Sequence, residues 1–300
     1  MNPQFLADGI LTGALLGLGG VGLTLAYSIL RFANFVHGDF LTVGAYAALV
    51  VAGALSQFLG GSGIGPFSFG WPLIVALPVA MAITGALALL LDWLLFRRLR
   101  RRGEEIVLVM ASFGASLAVR SLIEFAFTPE PKYYSRDLQI AMPLGFGVRA
   151  TPDQLAVVVL AALAGIALHL LLTRTAMGRA MRAVAENPEL ARVAGIDPAR
   201  VVRATWWLGG GLAALAGVFL GLTVQIRPYM GFDLLLPLFA GVILGGVGSV
   251  PGALAGGMIV GVAEALAVPF IGAVWRGGVA FLLLLAVLLV RPQGLFGMER

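Results

Sequence analysis

The amino-acid sequence predicts an all-α fold, a polytopic bundle of about eight or nine transmembrane helices in which some segments are broken or re-entrant. Hydrophobic residues make up 60% of the chain and charged residues only 12%, whereas about a quarter of a typical soluble domain is charged. The apolar runs reach the roughly 20 residues that a helix needs to cross a hydrocarbon core. We therefore expect residues 1–300 to form a single transmembrane domain.

The apolar runs predict nine spans along the chain. They cover residues 8–29, 36–57, 71–95, 106–127, 153–173, 201–223, 233–249, 252–271 and 276–290. Glycine and proline fragment the last four, most clearly in "GGVGSVPGALAGG" (245–257). Pro251 removes a backbone donor there, and such a break is tolerated only against protein or a wet cavity. We expect two short membrane segments to meet at this point.

The basic residues predict the orientation of the bundle. Nearly all of them are arginines, and they cluster as "RRLRRR" (97–102) and across residues 174–203, beside apolar segments. Such clusters face the cytoplasm in membrane proteins. The chain changes side with each span, so counting from the cluster at 97–102 places the N-terminus outside and the C-terminus in the cytoplasm. This distribution explains the basic charge balance without nucleic acid, which we do not expect as a partner. Cysteine is absent, which excludes disulfides and cysteine metal sites.

Polar residues interrupt the apolar sequence between the first two predicted spans, in "RFANFVHGDFLTVGAY" (31–46). In one interpretation they lie at the membrane interface, where Asp39 near a helix start suits the helix dipole. In the other, the segment is re-entrant, and Asn34 and His37 line a translocation path or gate because polar groups at membrane depth mark pathways. Gly38 would then supply the bend. Both interpretations remain open at this stage.

A second candidate for the path is Glu264, in "GMIVGVAEAL". A charged residue in lipid costs at least about 2.5–3.5 kcal/mol. We therefore expect Glu264 to be protonated, paired with Arg276 or Arg31, or facing a cavity. Arg120 and Glu124 lie one helical turn apart and are expected to pair with each other.

The loop at residues 174–200 predicts two short helices with well-formed ends. The first runs from Met177 to about Glu186. Asn187, followed by proline, suits the start of the second helix, and Gly195 suits its end. Asp197, again followed by proline, would cap the next span. The hairpin is interpreted as a docking element for a cytoplasmic partner, with a solvated connector as the alternative.

The sequence has no motif for nucleotide hydrolysis or metal chemistry. No phosphate-binding loop of the form G-x-x-x-x-G-K-[ST] occurs, so an ATP-driven process would need an ATPase on another chain. The two histidines lie on different segments and no nucleophile stands beside a base. We do not expect an enzyme, and we expect no cofactor bound by this chain.

Three separated stretches resemble the branched-chain amino-acid ABC transporter permeases, the LivH-like inner-membrane subunits. "ILRFANFVHGDFLTVGAY" is similar to the family's N-F-x-H-G-[ED] segment. "GRAMRAVAENPELARVAGIDPARV" is similar to its cytoplasmic loop, which holds a variant of the EAA motif of ABC importers. Residues 231–266, "GFDLLLPLFAGVILGGVGSVPGALAGGMIVGVAEAL", are similar to its C-terminal signature. Ala183-Val184-Ala185 stands where a strict EAA motif would begin with glutamate.

The resemblance implies a translocation subunit of the bacterial inner membrane, embedded in the lipid bilayer. It would pair with a second permease, identical or related, and work with two cytoplasmic ATPase subunits that use ATP and a periplasmic substrate-binding protein. The cargo implied is a branched-chain or other hydrophobic amino acid, with urea or a short amide as alternatives. The coupling to the ATPase implied by the family falls on Gly178, Arg182, Ala185, Glu186, Gly195 and Asp197. A proton-coupled secondary transporter that uses Glu264 or Asp39, without an ATPase, is the rival from another class.

Overall fold

The computed structural model describes residues 3–60, 63–100, 103–135, 139–145, 147–291 and 293–296. Arg101 and Arg102 of the predicted inner cluster lie outside this range. In chain order the elements are α1 (Pro3–Leu30), α2 (Val36–Leu59), α3 (Trp71–Leu91), a π-helical turn (Asp92–Phe96), α4 (Arg97–Leu99), α5 (Glu105–Phe127), β1 (Met142–Gly145), β2 (Val148–Ala150), α6 (Pro152–Arg174), α7 (Ala176–Glu186), α8 (Pro188–Val193), α9 (Pro198–Thr223), α10 (Met230–Asp233), α11 (Leu235–Gly245), α12 (Val250–Ile271), a 3-10 turn (Ala273–Trp275) and α13 (Arg276–Val290). The all-α prediction is confirmed.

Among these residues, eight helical segments are long and apolar enough to cross a membrane. The predicted span at 233–249 is different, because it forms the short consecutive helices α10 and α11. Together they cover Met230–Gly245, about 24 Å at 1.5 Å per residue, which is less than the roughly 30 Å of a hydrocarbon core. Gly246, with φ of 96°, ends α11 because only glycine adopts this conformation without strain.

The break predicted within residues 245–257 is confirmed as a tight turn between α11 and α12, but only α11 is short, because α12 is long enough to cross a membrane. The two helices run antiparallel, since Gly241 lies against Gly257 and Gly245 lies against Gly252. Ser249 caps α12 by accepting a hydrogen bond from the Gly252 N–H at 3.1 Å. Gly248 N–H donates to Thr24 Oγ1 of α1 at 2.8 Å, which satisfies a backbone donor that the turn leaves free.

Helix α1 occupies the centre of the bundle and packs against α6, α9, α11 and α12. Its glycines make this possible. Gly9, Gly13 and Gly17 lie against the backbone of α12, and Gly257 and Gly261 of α12 lie against the backbone of α1. Small residues on facing helices allow such close approach in lipid, where packing rather than hydrophobic burial drives association.

The loops group at two ends of the bundle. At one end, Gln4 near the start of α1 hydrogen-bonds to the backbone of Arg149 in β2, and Lys132 pairs with Ile226 after α9. At the same end, Tyr134 donates its hydroxyl to the Ala45 carbonyl of α2 at 2.9 Å, and burial raises the pKa of this phenol. At the other end, Arg31 contacts the α7–α8 hairpin.

Candidate functional site

The junction between α1 and α2 turns back into the bundle. Helix α1 ends at Leu30, residues 31–35 are not helical, and α2 begins at Val36. His37, in the first turn of α2, places Nε2 at 2.9 Å from the Gly19 carbonyl oxygen of α1. Gly19 precedes Leu30 by eleven residues, about 16 Å along a helix. Helix α2 therefore begins near the middle of α1, as the re-entrant interpretation expects, and not at its end.

The bend in this junction comes from Arg31 and not from Gly38. Arg31 has φ of 57°, a left-handed conformation that is uncommon for residues other than glycine. Gly38 is an ordinary helical residue of α2. Its missing side chain instead permits contact with α10, because a Cβ at Gly38 would lie 2.7 Å from the Gly231 carbonyl oxygen. The Gly231 N–H donates to Thr42 Oγ1 at 3.1 Å, so α2 and α10 touch through their backbones.

Asp39 and Arg120 form a buried ion pair, and the expected pairing of Arg120 with Glu124 is wrong. Arg120 Nε donates to Asp39 Oδ1 at 3.1 Å and Nη2 donates to Oδ2 at 3.4 Å. Ser116 Oγ donates to Asp39 Oδ2 and accepts from Arg120 Nη2. Asp39 is 0% exposed and Arg120 is 5% exposed. Each charge is thus compensated, which the removal of both from water requires.

The guanidinium of Arg120 also faces aromatic rings at α10. Its Cζ lies 3.9 Å from the centroid of Phe232 and 5.2 Å from that of Tyr229, within the range of cation–π attraction. Arg120 therefore joins α2, α5 and α10 at one point. Three members of this site were not predicted from the sequence, namely Ser116, Arg120 and Phe232. The available signal was an arginine inside the otherwise apolar run at 106–127.

Asn34 lies just before α2 and is buried with an unsatisfied side chain. Neither its Oδ1 nor its Nδ2 has a hydrogen-bond partner among the described residues, although its backbone carbonyl accepts from the His37 N–H at 3.3 Å. The next residue, Phe35, packs its ring against Phe113 of α5 and Phe239 of α11. The amide of Asn34 is therefore free to form hydrogen bonds within the bundle. Because a buried amide without a partner costs free energy, a polar ligand that bonded to it would be favoured.

Glu264 does not join this cluster. It is buried in α12, beside Ala265, which lies against Gly9 of α1. Gly9 and Gly19 are ten residues apart, so Ala265, the neighbour of Glu264, and His37 contact α1 at levels about 15 Å apart. Among the described residues, Glu264 forms no ion pair with Arg276 or Arg31, and its Oε1 has no partner.

The hairpin at 175–197 has the predicted helices and the predicted caps. Asn187 Oδ1 accepts from the N–H groups of Glu189 and Leu190 at 2.9 and 3.0 Å. Gly195 has φ of 84° and completes a Schellman motif, in which Gly195 N–H bonds to the Arg192 carbonyl and the next N–H bonds to the Ala191 carbonyl. Asp197 Oδ1 accepts from the Ala199 N–H at 2.9 Å and caps α9.

One face of the hairpin packs on the transmembrane helices. Its apolar cluster is formed by Leu25, Met181, Val184, Ala191 and Val201. Gly178 is buried against the backbone of Leu172 at the end of α6, and Arg182 donates to the Leu172 carbonyl. Gly178 is thus directed toward the bundle rather than toward a partner.

The opposite face of the hairpin is exposed and carries apolar side chains. Leu190 is 67% exposed and Val193 is 87% exposed. The predicted residues Arg182, Glu186, Gly195 and Asp197 are also exposed, and Ala185 is half-buried. Exposed apolar side chains on a rigid, capped element are typical of an interaction site.

The described residues offer no metal site, because no three His, Cys, Asp or Glu side chains come together. A cavity of about 950 Å³ lies between α3, α6 and α9. Its lining is apolar, from residues such as Phe69, Leu77 and Phe219, and none of the junction residues contributes to it. The polar site and the apolar cavity are therefore separate.

Comparison with known proteins extends over nearly the whole chain. The sequence model of the family described as "Branched-chain amino acid transport system / permease component" matches residues 5–288. The chain is 31% identical to the high-affinity branched-chain amino acid transport system permease protein LivH of Escherichia coli (strain K12), covering 99% of this chain and 98% of that protein. It is 30% identical to the corresponding protein BraD of Pseudomonas aeruginosa, covering 98% and 95%. The probable branched-chain amino acid transport permease protein LivH of Methanocaldococcus jannaschii is also 30% identical, covering 99% and 93%. No solved structure matches the chain significantly.

Proposed function

Because this chain belongs to the family of branched-chain amino acid transport permease components, we propose that it is the membrane-spanning subunit of an ATP-driven importer. Its cargo is a branched-chain or other hydrophobic amino acid, moved inward across the bacterial inner membrane. The likeness to permeases named for this cargo, along the full length of both chains, supports this choice. Urea or a short amide is the alternative cargo.

The capped hairpin at 175–197 is the observation that carries the ATP-driven part of the proposal. It is fixed to the bundle by its inner face and presents Leu190 and Val193 outward. A rigid element with exposed apolar side chains suits docking into a groove of a cytoplasmic ATPase subunit. ATP is hydrolysed by that subunit, since the sequence contains no phosphate-binding loop of its own.

The re-entrant start of α2 is proposed as part of the translocation path or gate. Broken helices at membrane depth are where transporters place polar groups that meet the cargo. Asn34 has free hydrogen-bonding capacity there, and His37 and Asp39 are fixed by Gly19 and Arg120. In this assignment Asn34 contacts cargo, while His37, Gly38 and Asp39 hold the junction.

The remaining partners follow from the same proposal. A second permease, identical or related, completes the path, and a periplasmic binding protein delivers the cargo. The end of the bundle that holds the start of α1 and the β1–β2 hairpin faces the periplasm, and the α7–α8 hairpin faces the cytoplasm. The arginines at 97–100 and in the hairpin support this orientation.

Reconstitution tests this proposal. The chain is placed in proteoliposomes with the candidate ATPase, second permease and binding protein, each omitted in turn, and uptake of radiolabelled leucine is measured. We expect uptake that requires ATP and every component, and competition by isoleucine rather than by urea. Uptake by this chain alone, driven by a proton gradient, would contradict the proposal and direct attention to Glu264, whose Oε1 is unpaired.

A further inference from the structure

Arg31 connects the hairpin to the junction that leads into α2. Its N–H still completes the last turn of α1, bonding to the Tyr27 carbonyl at 2.9 Å. Its side chain reaches across to α7, where Nη2 donates to the carbonyl oxygens of Ala185 at 2.9 Å and Glu186 at 3.3 Å. The residue that bends the chain back into the bundle therefore also holds the end of the hairpin's first helix.

The two carbonyls that Arg31 binds lack a helical donor. In a continuous helix they would accept from the N–H groups of Glu189 and Leu190, but both of these donate to Asn187 Oδ1 instead. The last carbonyls of a helix carry a partial negative charge and favour a cation. The guanidinium, with several donors in one plane, meets this need at the C-terminal end of α7.

On its other side, Arg31 continues into a link that is packed closely against three helices. Phe32 is buried and places its ring 5.4 Å from that of Phe96 in the π-helical turn. Phe96 in turn stacks on Trp206 of α9, with centroids 5.0 Å apart. Phe35 donates its backbone N–H to Ser112 Oγ at 3.1 Å. Because the link is short and packed, we expect a displacement of Arg31 to move the start of α2 rather than to be absorbed within the link.

From this arrangement we propose that Arg31 is a positioning residue for coupling: it transmits movement of the α7–α8 hairpin to the re-entrant start of α2. The inference rests on the proposed function, since it requires an ATPase that moves the hairpin. The inference goes beyond the proposed function because it assigns the transmission of movement to one side chain outside the hairpin. Without Arg31, the hairpin would still dock and the ATPase would still turn over, but the junction would no longer follow.

The test compares uptake with ATP hydrolysis in the complete reconstituted complex. In Arg31→Gln and Arg31→Ala, we expect binding-protein-stimulated ATP hydrolysis to stay within about twofold of the unmodified complex. Uptake per ATP hydrolysed should fall about tenfold, which corresponds to about 1.4 kcal/mol of lost coupling. Arg31→Lys keeps the charge without the planar fork, so its uptake per ATP should lie between that of the unmodified complex and that of Arg31→Gln. Arg98→Ala, which removes an exposed arginine of α4, is the matched control and should couple normally.

A second readout follows the junction directly. The chain contains no cysteine, so Ala33→Cys introduces a single thiol into the link. We expect its alkylation rate to differ between nucleotide-free and ATP-trapped complexes when Arg31 is present, and to become independent of ATP in Arg31→Gln. Unchanged uptake per ATP in Arg31→Gln and Arg31→Ala would overturn the inference, and so would parallel loss of both activities through weaker ATPase binding. Absence of ATP-dependent uptake in the unmodified complex would instead refute the proposed function.

Discussion

Replacing Asp39 by asparagine tests whether the buried ion pair with Arg120 holds the junction together. The substitution keeps the shape of the side chain, and the new amide oxygen can still accept from Arg120 Nε. The new Nδ2 takes the place of Oδ2, which accepts from Ser116 Oγ and Arg120 Nη2, so the amide donor then faces the Nη2 donor of Arg120. Arg120, 5% exposed, is left as a buried charge without a counter-ion. Breaking a buried pair in this way costs about 3–5 kcal/mol.

The magnitude is measured with a double-mutant cycle. Asp39→Asn, Arg120→Met and the double variant are unfolded in mixed micelles with a rising fraction of sodium dodecyl sulfate, followed by the fluorescence of the five tryptophans. We expect the double variant to cost at least about 3 kcal/mol less than the sum of the single variants, because removing both charges leaves neither unpaired.

An exposed ion pair in the same chain supplies the matched control. Arg227 and Asp233 lie 3.4 Å apart with side chains 48% and 51% exposed. Arg227→Gln should cost at most about 1 kcal/mol, as is usual for surface pairs. If Asp39→Asn destabilised the protein no more than Arg227→Gln, or if the cycle were additive, the junction would not depend on the buried pair and the reasoning would be refuted.

Three further predictions concern the hairpin and the helix contacts. Gly195→Pro should abolish uptake while the protein still inserts, because proline cannot adopt φ of 84° or donate to the Arg192 carbonyl. The control, Gly195→Asn, should retain most uptake because asparagine tolerates this conformation. Equal uptake by the two variants would argue against the Schellman motif as part of the coupling element. Gly261→Ala should destabilise the bundle by about 1–3 kcal/mol, since its Cβ would collide with the backbone of Gly13. Gly114→Ala, on the open face of α5, should be neutral or stabilising by up to about 1 kcal/mol. Unfolding in mixed micelles measures both, and equal effects would contradict the packing argument. Val193→Ser should weaken co-purification with the ATPase without changing the unfolding transition, because Val193 is 87% exposed and contributes to no core; unaltered co-purification would remove this side chain from the docking surface.

Features set by neighbouring residues could be predicted from the sequence. The caps at Asn187, Gly195 and Asp197 are local, because each requires only a side chain or glycine within a few residues of the backbone groups it satisfies. The long spans could be predicted for the same reason, since hydrophobic length is a property of a contiguous segment. The segment predicted at 233–249 begins a few residues earlier and forms two short helices, α10 and α11, although the break after it was predicted from the glycines and proline at 245–257.

Features set by distant residues could not be predicted. Arg120 has Glu124 one turn away and Asp39 81 positions away in sequence, and spacing alone favours the near carboxylate. Gly38 reads as a hinge in the sequence, yet its role depends on Gly231, which a helix from the far end of the chain brings into contact. The depth of His37 is likewise decided by its contact with Gly19 and not by hydropathy.

The central position of α1 has a consequence for how the protein is made. Its glycine-rich face is completed by α12, which begins at Val250, 220 residues after Leu30. At about 5–20 residues per second, the ribosome needs roughly ten to forty seconds to supply that partner. During this time the newborn helix has lipid, or an insertion factor, against the surface that later carries Gly13 and Gly17. Insertion of α1 and its packing against α12 are therefore separate steps. A variant that cannot pack these two helices can enter the membrane normally and still be degraded.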